Sequence, residues 1–105
     1  MLDLSNPAFR AVFDRFMARL IENGDRLRHL EGAIAPDAAE VFAEIRLIVH
    51  RLAGSAGTFG FAHLGATAKR LDSLLSRGDC DPELVRALVR QLLAAIDGGE
   101  ETTRV

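Results

Sequence analysis

The residue of this chain best suited to do chemistry is the histidine at position 50. It opens the segment of residues 50–61, which reads HRLAGSAGTFGF. At about 100° per residue in a helix, the apolar residues around His50 fall on one stripe and the imidazole points the opposite way. The ring is therefore expected to face solvent, where an unprotonated nitrogen can act as a nucleophile. The apolar stripe consists of Val41, Ile45, Ile48, Leu52 and Ala56.

Small residues surround His50 on its own side of the helix. Gly54 lies one turn after it, directly beside the ring, and Ala43, Ala53 and Gly57 share that side. A glycine inside a helix costs about 0.5–1 kcal/mol relative to alanine. Its presence beside an exposed histidine indicates a flat surface that another protein approaches closely.

The pattern resembles the motif of the histidine-phosphotransfer (HPt) domains of bacterial phosphorelays and of the phosphoacceptor domain of chemotaxis histidine kinases. That motif reads approximately H-x-L-K-G-S/G-x-x-x-x-G-x-x-x-L. The chain departs from it at Ala53, where the family has a lysine. The residues that match in register are His50, Leu52, Gly54, Ser55, Gly60 and Leu64.

The resemblance implies a phosphoacceptor role for His50 and helper roles for two residues of the next helix. That helix packs beside the histidine helix in the family, and Lys69 and Asp72 fall at the matching positions as an i, i+3 pair. Asp72 is expected to accept the Nδ1 proton of His50 and leave Nε2 for phosphorylation. Lys69, the only lysine beside twelve arginines, is expected to supply the ammonium that Ala53 lacks. The alternative for both is a solvated surface charge.

The resemblance also implies partners and a docking surface. The partners are response-regulator receiver domains, a sensor histidine kinase, or both, and magnesium is expected on the receiver, with no cofactor or metal on this chain. Arg46 and Arg51 flank the site and are candidates for contact with a phosphate or an acidic partner, although surface arginines commonly serve neither. We expect a monomer. The docking patch is expected to consist of Ala43, Leu47, His50, Ala53, Gly54 and Gly57.

Other sites and functions compete with this interpretation. His63 is the one rival phosphoacceptor, whereas His29 is expected to be an ordinary boundary residue. A zinc site is disfavoured because the histidine separations fit no compact ligand spacing and the lone Cys80 adds no second thiolate. The alternatives to phosphotransfer are a docking bundle that binds receivers or kinases without being phosphorylated, and a helical bundle unrelated to phosphorelays. No phosphate-binding loop is present, so the chain is not expected to use ATP by itself.

Composition and charge argue against a membrane-spanning, a secreted or a nucleic-acid-binding protein. The 105 residues suffice for one domain, expected to span 1–105. Charged residues interrupt every apolar run before the roughly 20 residues of a membrane span, and the pattern of residues 1–13 argues against a secretion signal. A net charge of −2 gives no sign of the basic surface that is typical of nucleic-acid-binding proteins. We therefore expect a cytoplasmic protein that binds proteins, and the starting methionine and polar tail favour a free-standing one.

Helical periodicity and loop residues predict an all-α chain. Asn6 and Pro7 begin the first helix, and the segment of residues 23–25 is expected to break or bend it before a second apolar stripe that runs to Ala35. The histidine helix is expected to begin at a capping box of Asp37 and Glu40 and to run to about residue 57. Residues 58–60 form a turn.

Two further helices follow that turn. The first runs from residue 61 to a stop at Arg77 and Gly78, and the last begins with Asp81 as cap and Pro82 in its first turn. Long helices with short connections predict an antiparallel up-and-down four-helix bundle with an additional N-terminal helix. Residues 1–5 and 98–105 are expected to be frayed tails.

Overall fold

The computed structural model describes residues 5–78 and 81–98. Every helix and turn of this described part is consistent with the predicted all-α bundle, and no strand occurs in it. Cys80 and most of the expected tails lie outside the described residues. The elements are α1 (Pro7–Glu31), α2 (Ala39–Ser55), a short 3₁₀ turn (Ala56–Phe59), α3 (Ala62–Ser76) and α4 (Pro82–Asp97).

The helices pack in sequence order around one apolar core, and α4 closes the bundle against α1. Ion pairs between α1 and α4 show that these two helices are antiparallel. Arg28 contacts Asp97 at 2.7 Å, and Glu31, further along α1, contacts Arg90, which lies earlier on α4, at 2.5 Å. The largest completely buried side chains come from all four helices: Leu27, Ile45, Val49, Leu64, Leu71, Val85, Leu88, Val89 and Leu92.

The sequence predicted a break or a bend at residues 23–25, and the break is wrong, because α1 runs without interruption through Gly24. This glycine is buried, and a Cβ placed on it would lie 3.4 Å from Cγ2 of Ile96 on α4. Glycine is used here for the close approach of two helices, and its helix cost of about 1 kcal/mol is offset by that packing. The expected additional N-terminal helix is therefore the first half of α1 and not a separate helix.

Helix caps agree with the sequence at two of three sites. The Asn6 side chain accepts hydrogen bonds from the N–H groups of Ala8 (2.9 Å) and Phe9 (3.3 Å), and Asp81 accepts one from Glu83 (3.1 Å). The predicted capping box of α2 is wrong. Asp37 lies inside a turn closed by the Ala38 N–H and the Ala35 carbonyl, so the cap position falls on Ala38, whose side chain has no acceptor.

A phenylalanine cluster secures the turn after the histidine helix. The ring of Phe59 stacks on Phe16 of α1 at 4.5 Å between centroids, and Phe9 and Phe13 lie within 6.0 Å of it. The ring of Phe61 also contacts that of Phe16, with 5.7 Å between centroids. Ring burial and ring contacts together hold the junction of α2 and α3 against the first half of α1.

None of the helices in the described ranges is both long and apolar enough to cross a membrane.

Candidate functional site

The helix α2 presents His50 to solvent on the side opposite its core face. The His50 side chain is 70% exposed. The apolar periodicity of α2 explains this orientation, because its buried positions recur every three or four residues and leave the histidine outside them. Those buried positions are Phe42, Ile45, Ile48, Val49 and Leu52.

Asp72 of α3 holds one nitrogen of the His50 ring. Its Oδ2 lies 3.0 Å from Nδ1 of His50, and its side chain is only 20% exposed. An ionised carboxylate can only accept a hydrogen bond, so in the neutral ring Nδ1 carries the proton and donates it to Asp72. The lone pair of Nε2 is then directed away from Asp72, into solvent. The expected contact between these two residues is thus present.

Close packing of α3 on the end of α2 sets this register. Gly60 has the left-handed conformation, with φ 87°, and its N–H donates to the Gly57 carbonyl at 3.1 Å. One turn into α3, a Cβ on Gly65 would lie 3.5 Å from both the Ala56 Cβ and the Gly57 nitrogen. Because Gly60 and Gly65 have no side chains, α3 can fold back directly along α2. This packing places Asp72 beside His50.

Arg46 of α2 lies next to Asp72, so that Arg46, Asp72 and His50 form one polar cluster across α2 and α3. Its Nε lies 3.7 Å from Oδ1 of Asp72, and it shares a shallow depression with His50, Ala43 and Leu47. Within the described part of the chain, Oδ1 is buried and makes no hydrogen bond. The sequence placed Arg46 only beside the site. Its i, i+4 spacing from His50 is the signal that could have identified the shared face.

Lys69 lies on a different surface. Its side chain is exposed and lines a groove between α3 and α4 with Ser73, Leu74 and Leu84. Among the residues that the structure describes, no hydrogen bond or ion pair joins Lys69 to His50 or Asp72. The structure therefore brings Asp72 to His50 without bringing Lys69 there, and the ammonium role of Lys69 stays a prediction.

The surface around His50 contains small residues. A Cβ on Gly54 or on Gly57 would meet nothing within 4 Å, so neither glycine is required by packing inside the protein. Ala43 is exposed and Ala53 is half-buried, while Leu47 has 51% of its surface exposed. An apolar side chain in the open beside two unexplained glycines is typical of a contact surface for a partner.

The remaining candidates lie apart from this arrangement. Arg51 points toward α1, where it lines a groove with Arg15 and Arg19. His29 and His63 are both exposed, and neither makes a hydrogen bond to any described residue. No group of three or more histidine, cysteine or acidic side chains is placed to hold a metal within residues 5–78 and 81–98.

Comparisons with known proteins point to one family. The family model of the Hpt domain matches residues 18–99, a range that contains both His50 and Asp72. Searches of curated proteins and of solved structures found no match.

Proposed function

Because the chain belongs to the Hpt domain family, the histidine phosphotransfer modules of two-component signalling, we propose that His50 carries a phosphoryl group in a bacterial phosphorelay. In this proposal the group arrives from an aspartyl phosphate on a receiver domain or from a histidine kinase, and it leaves to the aspartate of a receiver. The observation that supports it most directly is the exposed His50 ring with Nδ1 held 3.0 Å from Asp72.

The hydrogen bond to Asp72 selects the reacting nitrogen. With Nδ1 protonated and held, the lone pair of Nε2 attacks the phosphorus of the donor's acyl phosphate. The N–P bond forms while the acyl O–P bond breaks, and its electron pair leaves with the donor's carboxylate. The ring then bears a proton on Nδ1, a phosphoryl group on Nε2 and a positive charge, which the carboxylate of Asp72 stabilises.

Transfer onward reverses these steps on the acceptor's aspartate. The carboxylate oxygen attacks phosphorus, the N–P bond breaks, and the electron pair returns to Nε2. Magnesium in the acidic pocket of the receiver neutralises the moving charge, so this chain supplies no metal ligand in the proposal. Its own contribution is to orient the ring and to leave room for the receiver.

Room for the receiver comes from the patch of small residues. Gly54 and Gly57 have open space where a side chain would stand, and Ala43 and Ala53 add only methyl groups. We propose that receiver loops lie directly on this surface and that Leu47 supplies apolar contact. The two reacting atoms must come within about 3–3.5 Å for in-line transfer, which bulky side chains beside the ring would prevent.

Incubation with a panel of phosphorylated receivers and kinases tests the proposal through transfer of acid-labile label. The wild-type chain is expected to take label, and His50→Gln is expected to take none. The stability of this variant should change by no more than about 0.5 kcal/mol, because an exposed side chain is replaced by one that can still donate to Asp72. His63→Gln and His29→Gln are the matched controls and should transfer normally.

Two outcomes contradict the proposal. Label that persists on His50→Gln and disappears in His63→Gln would move the phosphoacceptor to α3. A wild-type chain that binds receivers but takes no label from any donor would support the alternative of a docking module that is not phosphorylated.

A further inference from the structure

We propose that Arg46 is the cation of the His50 site, with two positions. In the resting protein its guanidinium holds the carboxylate of Asp72 against His50, and after phosphorylation it moves to the phosphoryl oxygens on Nε2. The inference rests on the proposed function and adds to it the group that balances the charge of the phosphohistidine.

Arg46 lies close enough to Asp72 for its charge to orient the carboxylate. The contact is also weak enough to break when Arg46 moves to the phosphoryl group. At 3.7 Å the Nε–Oδ1 distance exceeds that of a hydrogen bond, and the Arg46 side chain is 53% exposed. The fork between Arg26 and Glu44 shows the contrast, because there both oxygens of the carboxylate are engaged, one of them at 2.7 Å. Arg46 makes no such fork and keeps its freedom to turn.

Asp72 supplies a reason for a cation at this position. Its Oδ1 is buried and makes no hydrogen bond to any described residue, while Oδ2 is occupied by the His50 ring. A buried carboxylate oxygen without a donor is costly, and the guanidinium beside it is the positive group that compensates. Removing Arg46 leaves this oxygen with neither a hydrogen bond nor a neighbouring charge, so the carboxylate should lose its fixed orientation toward Nδ1.

Position on the helix lets the same side chain reach the phosphoryl group. Arg46 and His50 are one turn apart on α2 and line the same depression. Residues with this spacing have Cβ atoms about 5–6 Å apart, well within the length of an arginine side chain. The planar guanidinium then offers two parallel N–H groups to phosphoryl oxygens, a geometry that arginine favours.

The other cations are placed less well for this task. The family's lysine is replaced by Ala53, Lys69 lines the groove toward α4, and Arg51 lines the groove toward α1. A phosphoryl group adds about 1.5–2 negative charges close to the carboxylate of Asp72. The single positive charge of the phosphorylated ring balances only part of this negative charge, so without a further cation the remaining repulsion would slow formation of the phosphohistidine and weaken it once formed.

Phosphoramidate, a small phosphoryl donor, tests the inference without any docking partner. Nε2 attacks its phosphorus, the N–P bond to the ring forms, the N–P bond of the donor breaks, and ammonia leaves. The labelling rate and the half-life of the phosphohistidine should both fall roughly two- to fivefold in Arg46→Ala, the upper part of the range expected for one cation at an exposed site. Arg46→Lys should restore part of the loss, and Ala53→Lys should do so in the Arg46→Ala background. Arg51→Ala is the matched control and should label as the wild type does.

A second readout follows the resting protein. The ¹⁵N shifts of the His50 ring report which nitrogen carries the proton, and Arg46→Ala should reduce the share of the form protonated on Nδ1 while the helical content stays unchanged. A purely structural role would leave these shifts unaltered. Lys69→Ala should change rate and half-life less than Arg46→Ala does, and the reverse order would assign the cation to Lys69 and overturn the inference.

Separate results mark the failure of each proposal. A wild-type chain labelled on His50 whose rate, half-life and ring shifts are unchanged in Arg46→Ala refutes the role of Arg46 and leaves the proposed function standing. A wild-type chain that takes no label on His50 from phosphoramidate, receivers or kinases refutes the proposed function, and the phosphoryl position of Arg46 with it.

Discussion

At the scale of single residues, Gly54 shows how an exposed glycine inside a helix can be explained by what lies outside the protein. Nothing within 4 Å would touch a side chain there, so packing does not demand glycine, and helix propensity disfavours it by about 1 kcal/mol. We propose that Gly54 provides clearance for a partner that approaches His50, which lies one turn earlier on α2.

Gly54→Gln should therefore separate docking from folding. We expect thermal stability to be unchanged or slightly raised, and phosphotransfer from a receiver to slow at least several-fold, since about 1.4 kcal/mol of lost docking energy lowers affinity tenfold. Labelling by phosphoramidate should stay at the wild-type rate because the donor is small.

The control for this variant is Glu40→Gln, which places the same side chain at an exposed position in the first turn of α2, before the patch begins. It should transfer normally. Equal transfer rates for Gly54→Gln and the wild type would show that the receiver does not lie on Gly54.

The orientation of His50 and its contact with Asp72 could be predicted from the sequence and the family motif, whereas the contact between Arg46 and Asp72 could not. The outward direction of His50 follows from periodicity along α2, and its contact with Asp72 was expected from the family motif. The contact of Arg46 with Asp72 depends on how far α3 slides along α2, a register that no spacing within one helix contains. The i, i+4 spacing places Arg46 on the same face of α2 as His50, but which neighbouring helix each arginine meets, α3 for Arg46 and α1 for Arg51, is set only by the fold.

At the scale of elements, the junction of α2 and α3 is the part of the chain that assembles the site. The prediction placed the end of α2 at about residue 57, whereas the helix ends at Ser55 and the next four residues tighten into a 3₁₀ turn. Gly60 then reverses the chain with φ 87°, a conformation that residues with a side chain rarely adopt. The family glycine at this position thus has a structural explanation, separate from that of Gly54.

Gly60→Ala should destabilise the fold by about 1–2 kcal/mol, the cost of a left-handed conformation for a residue with a Cβ. In thermal unfolding this corresponds to a lowering of Tm by roughly 4–8 °C per kcal/mol for a domain of this size. The phosphohistidine chemistry of the folded fraction should persist.

Gly57→Ala is the matched control within the same turn. Its Cβ would meet nothing within 4 Å and its φ is not positive, so its stability should equal or exceed that of the wild type. Equal losses in the two variants would mean that the turn, and not the φ of Gly60, is sensitive to any added side chain.

Local signals also explain which helix boundaries were predictable. Asn6 and Asp81 cap their helices through hydrogen bonds to groups two or three residues away, and both were identified from the sequence. Gly24 was interpreted as a break because glycine is a poor helix former, yet its neighbour is Ile96, more than seventy residues later. Tertiary packing of this kind overrides local propensity and leaves no trace within the helix itself.

At the scale of the whole molecule, apolar packing holds both halves of α1 to the bundle, through Phe16 in the first half and Leu27 and Leu30 in the second, and the second half adds ion pairs. The first half of α1 packs against the phenylalanine cluster, whereas its second half is joined by ion pairs to α2 through Glu44 and to α4 through Asp97 and Arg90. The described part measures 47 × 22 × 22 Å, so these two fastenings lie well apart along its length. Acid and salt should therefore weaken the ion pairs of the second half, while the apolar contacts of both halves persist.

The ion pair of Arg26 and Glu44 makes this dependence measurable. The hydrogen bonds from the Arg26 guanidinium, aided by its charge and by the positive charge of His29, hold the pKa of Glu44 below its ordinary value, although desolvation opposes them. A carboxyl whose pKa is lower in the folded state stabilises the fold above its unfolded pKa, and that stabilisation is lost as the pH falls through the folded pKa. Thermal unfolding should show Glu44→Gln less stable than the wild type at neutral pH, with the difference vanishing in acid and shrinking in high salt. A difference for Glu44→Gln that persists below the folded pKa would mean that Glu44 acts through packing and not through its charge.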